Sequence, residues 1–377
     1  MRSMTRTADR PLKIAQVAPL VESVPPKLYG GTERVVAHLT DALVELGHDV
    51  TLFASGDAQT DAQLVPVREH AIRLDPAPLK SDVAAHLSML HEVRRRSQEF
   101  DVIHFHVDLL QFPLFEDLAG RTLTTLHGRL DLADLAGVYD RWPDYPLASI
   151  SDSQRKPLPR ANWVATVHHG IPQSLFDATP AHRGYFAFVG RISPEKRLDR
   201  AIQIARAVGM PLKIAAKIDA VDTNYFREAI KPLLAGPGID FLGEVGDADK
   251  NRLLGGAKAL LFPIDWPEPF GLVMIEAMAC GTPVIAWNEG SVPEVIEEGV
   301  TGFTVRSIDD AVAAAGQLDR LDRSLVRAAF ERRFSATTMA RNYVEVYRRI
   351  TEGHRDTAGT RDRHHEQHAQ SLGALHA

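Results

Sequence analysis

The sequence predicts an α/β protein built from two doubly wound parallel-sheet domains that face a cleft. Three observations carry that prediction. Short apolar runs alternate with stretches whose apolar residues recur at helical spacing. The alternation starts at Lys13, is interrupted by a Pro- and Gly-rich segment, and resumes at Tyr185. With 377 residues the chain is long for one core and suits two domains of about 150–180 residues each. The expected division is an N-terminal domain over residues 1–177 and a second domain over 178–335. A helix over 336–352 and a tail over 353–377 follow.

In the first half, Lys13–Leu20 reads as a strand and Val21–Leu28 as a loop with Pro25 and Pro26. Tyr29-Gly30-Gly31-Thr32-Glu33-Arg34 then opens a helix with Val35, Val36, Leu39, Leu43 and Leu46 at helical spacing. Gly47 ends it, and Asp49–Ala54 is the next strand. This βαβ start lacks the dinucleotide fingerprint, which needs G-x-G-x-x-G directly after the strand. A Gly-Gly pair entering a helix still lets a diphosphate approach bare amides, although alone it is more often a turn. Ser81–Glu99 reads as a helix ending in Arg94-Arg95-Arg96, a solvated basic face rather than a membrane patch. Asp101–Val107 and Arg121–Leu126 are strands separated by a helical stretch, and Leu147–Ser151 and Trp163–His168 complete the sheet. His127-Gly128 falls just past the end of its strand, where open α/β sheets place their ligands. His104 and His106, inside a strand, read as structural.

His169-Gly170-Ile171-Pro172 and Ala178–Gly184 form the interruption, which reads as a hinge. Tyr185–Arg191 starts the second series, and Arg197–Val208 is its first helix. Strands follow at Leu212–Ala216, Ile239–Gly243, Ala259–Pro263, Val284–Trp287 and Phe303–Val305. Arg191 and Lys196 flank a turn at a strand end, where two cations suit a diphosphate. Asp247-Ala248-Asp249 has a metal-pair form, but it opens a helix, and a capping role is the better expectation. Ala336–Thr351 places Met339, Tyr343, Val346 and Ile350 on one face. Residues 354–377 hold five His among polar residues with no core pattern, and disorder is expected there.

The most informative stretch is Glu268-Pro269-Phe270-Gly271-Leu272-Val273-Met274-Ile275-Glu276. Two carboxylates separated by seven residues are commonly a cap and an ordinary helix Glu, but here a Pro-Phe-Gly turn lies between them. Leu272–Cys280 reads as a helix stopped by Gly281 and Pro283. The amides of Phe270, Gly271 and Leu272 then point out of a helix start, where negative charge is favoured. Glu268 lies beside that start and can accept from sugar hydroxyls, and Glu276, about two turns on, suits a vicinal diol such as a ribose.

This pattern resembles the signature of the retaining glycosyltransferases of family 4, glycosyl transferases group 1, which have the GT-B fold of two Rossmann-like domains. The signature E-P-F-G-L-x-x-x-E is met in full from Glu268 to Glu276. The resemblance implies that Glu268 holds the donor sugar, that the Phe270, Gly271 and Leu272 amides hold sugar or phosphate, and that Glu276 holds the nucleotide ribose. It implies that Gly30 and Gly31 touch the donor phosphates and that His127 lies at the sugar. Gly190, Arg191 and Lys196 match the family's G-R-x-x-x-x-K, which neutralises the leaving diphosphate. The backbone at Val245, in Gly243-Glu244-Val245-Gly246, would meet the base, and Ser291–Glu297 resembles the family again. Where members carry a Gly-rich loop after the second strand of the later domain, this chain has Ala215-Ala216-Lys217-Ile218. Where they have Asn-Gly-Val-Asp in the hinge, it has His169-Gly170-Ile171-Pro172.

The expectation is therefore metal-independent retaining transfer of a hexose from a nucleotide-sugar, with UDP-glucose the first guess on frequency. No cofactor is expected, and the acceptor, whether sugar, lipid or small metabolite, is unread. A nucleotide-sugar epimerase of the same fold and a non-catalytic sugar-nucleotide binder are the alternatives. A net charge of −6 argues against nucleic acid as a partner. The single Cys280 excludes an internal disulfide and fits a reducing cytosol. Met1–Arg10 has no apolar core for a signal peptide, and no apolar run is long enough for a membrane span. A cytoplasmic location follows, with peripheral contact to the inner membrane face left open.

Overall fold

The computed structural model describes residues 10–27 and 30–353, so Tyr29 and the His-containing tail at 354–377 lie outside the described residues. The first half folds as β1 (Lys13–Val17), α1 (Gly31–Glu45), β2 (Asp49–Ala54), β3 (Gln63–Pro66), α2 (Asp82–Arg95), β4 (Val102–Phe105), β5 (Thr122–Thr125), α3 (Leu135–Arg141), β6 (Leu147–Ser149) and β7 (Trp163–Thr166). All seven strands pair in parallel, in the order β3-β2-β1-β4-β5-β6-β7. The strand order reverses between β1 and β4, which opens a crevice at their carboxyl ends.

The second half runs β8 (Phe186–Arg191), α4 (Leu198–Val208), β9 (Leu212–Lys217), α5 (Thr223–Tyr225), β10 (Ile239–Gly243), α6 (Asp247–Gly256), β11 (Ala259–Phe262), α7 (Leu272–Ala279), β12 (Val284–Trp287), α8 (Val292–Val295), β13 (Gly302–Val305), α9 (Ile308–Ala315) and α10 (Arg323–Phe334). Its parallel sheet has the order β10-β9-β8-β11-β12-β13, with the reversal between β8 and β11. The fold is thus α/β of the GT-B type, and β8 and β11 deliver Arg191 and the Glu268 loop to one edge. The central strands β4, β5, β11 and β12 are buried along their length, which is why they read as near-continuous apolar runs, whereas the edge strands β3, β7 and β10 are partly exposed.

Three expectations need correction. β1 ends at Val17 rather than Leu20, because the chain leaves the sheet and the Leu20 amide donates to His86 Nε2 on α2 at 3.2 Å. β3 was not read from the sequence at all. It is a four-residue edge strand, ends in Pro66 and is only half-buried, so its apolar pattern is weak. The Ser81–Glu99 helix is shorter: Ser81 caps it by accepting from the Ala84 amide at 3.2 Å, α2 stops at Arg95, and Ser97–Glu99 is a separate 3₁₀ turn.

Helix 336–353 packs Met339, Tyr343, Val346 and Tyr347 into the core of the first domain beside Ile14, Leu39 and Leu123. The chain therefore crosses between domains twice, and the crossings lie side by side. The Ile171 amide donates to Phe334 O at 3.0 Å, and the Ala336 amide donates to Ile171 O at 2.8 Å. Gly170 makes that approach feasible, since a Cβ there would sit 2.4 Å from Ser335 O.

Candidate active site

A cleft of about 450 Å³ lies between the domains. From the first domain it takes Gly30, Gly31, Arg34, His127, Arg129 and His169. From the second it takes Gly190, Arg191, Lys196, Val245, Lys250, Trp266, Glu268, Phe270, Gly271, Leu272 and Glu276. The fold thus brings together every residue singled out above: His127, Arg191, Lys196 and Glu268, with Gly30, Gly31, Gly190, Val245, Phe270, Gly271, Leu272 and Glu276.

The floor is the Glu268 loop. Gly271 holds a left-handed backbone (φ 80°) that turns the chain into α7. Among the described residues, the Phe270, Gly271 and Leu272 amides donate to no backbone carbonyl, so a helix start faces the cleft. The loop is braced on both sides. Ser291 Oγ donates to Phe270 O at 2.7 Å, and Ser151 Oγ, from the other domain, donates to Pro269 O at 2.7 Å. Phe270 packs against the rings of His169 and Phe334, at 4.9 and 6.1 Å between centroids.

The charges are paired. Lys196 Nζ donates to Glu268 Oε2, which also accepts from the Trp266 indole N–H at 2.8 Å. Arg191 binds Glu195 at 2.5 Å and lies 3.6 and 3.7 Å from Asp219 and Asp222. Glu276 is 4% exposed and is held by Lys250 Nζ at 2.7 Å. Sequence reasoning treated Glu268 and Lys196 as separate actors and missed Lys250. The signal for Lys250 was its place on the helix after Gly246, one turn past Asp247.

Asp247 does not cap α6 with its side chain. It accepts from Arg34 Nη1 of the first domain at 2.7 Å and lies 3.4 Å from Lys250 Nζ, so Glu276, Lys250, Asp247 and Arg34 form one charge chain across the cleft. The opposite rim has a second link: Glu294 accepts from the Asp152 and Ser153 amides at 2.7 and 2.8 Å and faces His168 at 3.2 Å.

His127 stands at the end of β5, stacked on His169 with 5.2 Å between ring centroids. Burial pushes its pKa down to about 3, so the ring is neutral near pH 7. His106, read from the sequence as structural and inside a strand, instead lies just past the end of β4, where it is buried and bonds directly to His127, Nδ1 to Nε2, at 2.8 Å. His169 also lines the cleft and was missed, because the hinge has no strand pattern to place it. Cys280 is buried and its thiol is pushed up to about 12 by burial, which fits a structural role.

Gly290 has φ 57°, and a Cβ there would lie 2.3 Å from the Glu268 amide nitrogen. Gly290→Ala is expected to cost about 1–3 kcal/mol in urea unfolding. It should also lower turnover by about 100-fold through a displaced Glu268. An active Gly290→Ala protein would mean that the position of this loop is not critical.

Two doubly wound parallel-sheet domains around a cleft that pairs cations with carboxylates at a helix start are the architecture of the GT-B class. The family model described as Glycosyltransferase Family 4 matches residues 29–175, and the one described as Glycosyl transferases group 1 matches residues 177–329. Between them the two matches take in both domains, and the chain belongs to the family-4, group 1 glycosyltransferases. It is 27% identical to the glycogen synthase of Mycobacterium tuberculosis H37Rv, over 86% of this chain and 93% of that protein. It is 26% identical to the phosphatidyl-myo-inositol mannosyltransferase of Mycobacterium leprae, over 90% and 97%. Among solved structures, AviGT4, a glycosyltransferase involved in avilamycin A biosynthesis, superposes with a TM-score of 0.71 at 27% identity, over 91% of this chain and 99% of that one. Among the described residues no helix is long and apolar enough to cross a membrane.

Proposed function

We propose that this glycosyltransferase moves a hexose from a nucleotide-diphosphate sugar to an acceptor hydroxyl with retention of configuration and without a metal ion. The observation that carries this reading is the convergence, in one cleft, of Lys196, Glu268, Arg191, Glu276 and His127 around the helix start at Gly271 and Leu272. The full E-P-F-G-L-x-x-x-E pattern, shared with retaining enzymes, supports retention. Glu276 with Lys250 would take the ribose, and the backbone at Val245 the base. The diphosphate would lie between Gly30, Gly31 and Gly190, where bare backbone allows close approach.

In the reaction the C1–O bond to the diphosphate breaks, and the acceptor oxygen bonds to C1 on the same face. Negative charge grows on the departing phosphate. Arg191, Lys196 and the Gly31 amide would stabilise that charge as it develops. Lys196 links the two tasks, since the same ammonium that would meet the phosphate positions Glu268 against the sugar hydroxyls. The departing phosphate takes the acceptor proton, so no protein base is needed.

The test is a thermal-shift and turnover panel with UDP-, GDP- and ADP-sugars, UDP-glucose first, with EDTA and with magnesium. At 100 Kd of free ligand, binding adds about 2.7 kcal/mol of apparent stability. Stabilisation by one nucleotide, unaffected by EDTA and lost in Glu276→Ala, is the expected result. No response to any nucleotide-sugar would overturn the donor site. A product still bonded to its diphosphate would favour an epimerase instead. Anomeric configuration, read by NMR of the product, decides retention.

A further inference from the structure

We propose that Gln16, acting through His106, fixes the ring tautomer of His127 so that Nδ1 meets the donor sugar as a hydrogen-bond acceptor. The inference rests on the donor-site reading above, and it names what the sugar must present there.

A chain of buried polar groups runs from the cleft to the C-terminal helix. His127 Nε2 meets His106 Nδ1 at 2.8 Å, and His106 Nε2 meets Gln16 Oε1 at 2.8 Å. Gln16 Nε2 donates to the Tyr347 hydroxyl at 3.1 Å, which meets His104 Nδ1 at 2.7 Å. His104 Nε2 lies 2.7 Å from Thr125 Oγ1, which bonds to Tyr343 at 2.9 Å. Gln16 and His104 are 0% exposed and His106 is 3% exposed.

Burial holds all three rings neutral, so each carries one N–H. An amide oxygen only accepts, so His106 carries its proton on Nε2 and leaves Nδ1 bare. The bond between the rings is then donated by His127 Nε2–H. That leaves the His127 Nδ1 lone pair, which is buried and without a hydrogen-bond partner.

Tyr347 can donate or accept, so it follows whichever polarity Gln16 imposes. If the Gln16 amide were turned over, every link would reverse and His127 Nδ1 would carry a proton. A bare ring nitrogen accepts from a hydroxyl and is repelled by a carboxylate. The sugar group facing His127 is therefore a hydroxyl, and a uronosyl donor with a carboxylate at that place is rejected. His127 also carries no charge to offer the diphosphate.

The experiment is long-range ¹H–¹⁵N correlation on the full chain labelled with ¹⁵N-histidine and without ligand. Expected are Nε2–H protons on His104, His106 and His127, and a proton on His127 Nδ1 would overturn the proposal. This readout needs no turnover, so its failure is distinct from failure of the donor panel. Gln16→Met removes both polar atoms at similar length. It should give mixed protonation of His127, a loss of about 10-fold in kcat/KM borne mainly by KM, and a relative gain for UDP-glucuronate over UDP-glucose. Gln16→Glu, with a buried acid proton facing His106, should move the His127 proton to Nδ1 and shift selectivity the same way. An unchanged His127 tautomer and unchanged selectivity in whichever of these variants folds would overturn the role of Gln16.

Discussion

Glu268→Gln is expected to lower kcat by about 100- to 1,000-fold while binding the bare nucleoside diphosphate about 10-fold more tightly than the native protein. The two effects have opposite signs because Glu268 has two neighbours with different interests. Its Oε2 holds the Lys196 ammonium and accepts from Trp266, and both charged side chains are mostly buried, at 12% and 17% exposed. A carboxylate there repels a diphosphate and occupies the cation that would bind it. The neutral amide of Gln keeps the shape, lifts the repulsion and releases Lys196, but it positions the sugar poorly. Lys196→Ala should fail on both counts, since it leaves Glu268 negative and unpaired beside the phosphates. Calorimetry with nucleoside diphosphate, alongside initial rates with the donor, separates these outcomes. If Glu268→Gln weakened diphosphate binding as much as turnover, the carboxylate would be holding the loop together rather than the sugar.

That pairing marks the limit of what the chain alone disclosed. The two-domain α/β architecture was legible because parallel strands buried on both faces leave apolar runs, and because the Pro- and Gly-rich break falls between them. Most site residues were legible for a related reason: they sit at strand ends and at one helix start, where an open α/β sheet must bind its ligand. Partnerships were not legible. Lys196 and Glu268 are 72 residues apart, and Arg34 and Asp247 are 213 apart. No local pattern encodes such contacts. Asp247 shows how the local rule misleads, since a first-turn Asp suggested a cap while the structure gives it to a cation from the other domain. His106 is a related case: the apolar run around it correctly implied a buried ring, but the strand stops at Phe105, so the ring lies at the carboxyl edge and touches the cleft through His127.

Lowering the pH from 6.5 towards 4 is expected to unfold this protein steeply, and its histidines supply the reason. Burial is the leading cause that lowers His38 to about 4 and His127 to about 3, and it drives His104, His106 and His169 well below the ordinary 6.5. In the unfolded chain each would titrate near 6.5. Between the folded and unfolded values the unfolded chain binds more protons, so stability is present above about pH 6.5 and is lost as the pH falls through this window. Each such histidine contributes a slope of about 1.4 kcal/mol per pH unit. Five acting together would exhaust the stability of an ordinary domain, about 5–15 kcal/mol, within about one to two units. Urea titrations at stepped pH give the slope directly, and proton uptake on unfolding at pH 5 should approach one per buried ring. Replacing His104 by Gln, which keeps a polar group for Thr125 and Tyr347, should reduce the slope by about 1.4 kcal/mol per unit even if it lowers stability at pH 7. A stability profile flat between pH 7 and pH 5 would mean that these rings titrate near 6.5 in the folded protein as in the unfolded one. The neutral chain from Gln16 to His127 would then hold only above that pH, because a doubly protonated His106 would donate to His127 instead of accepting from it.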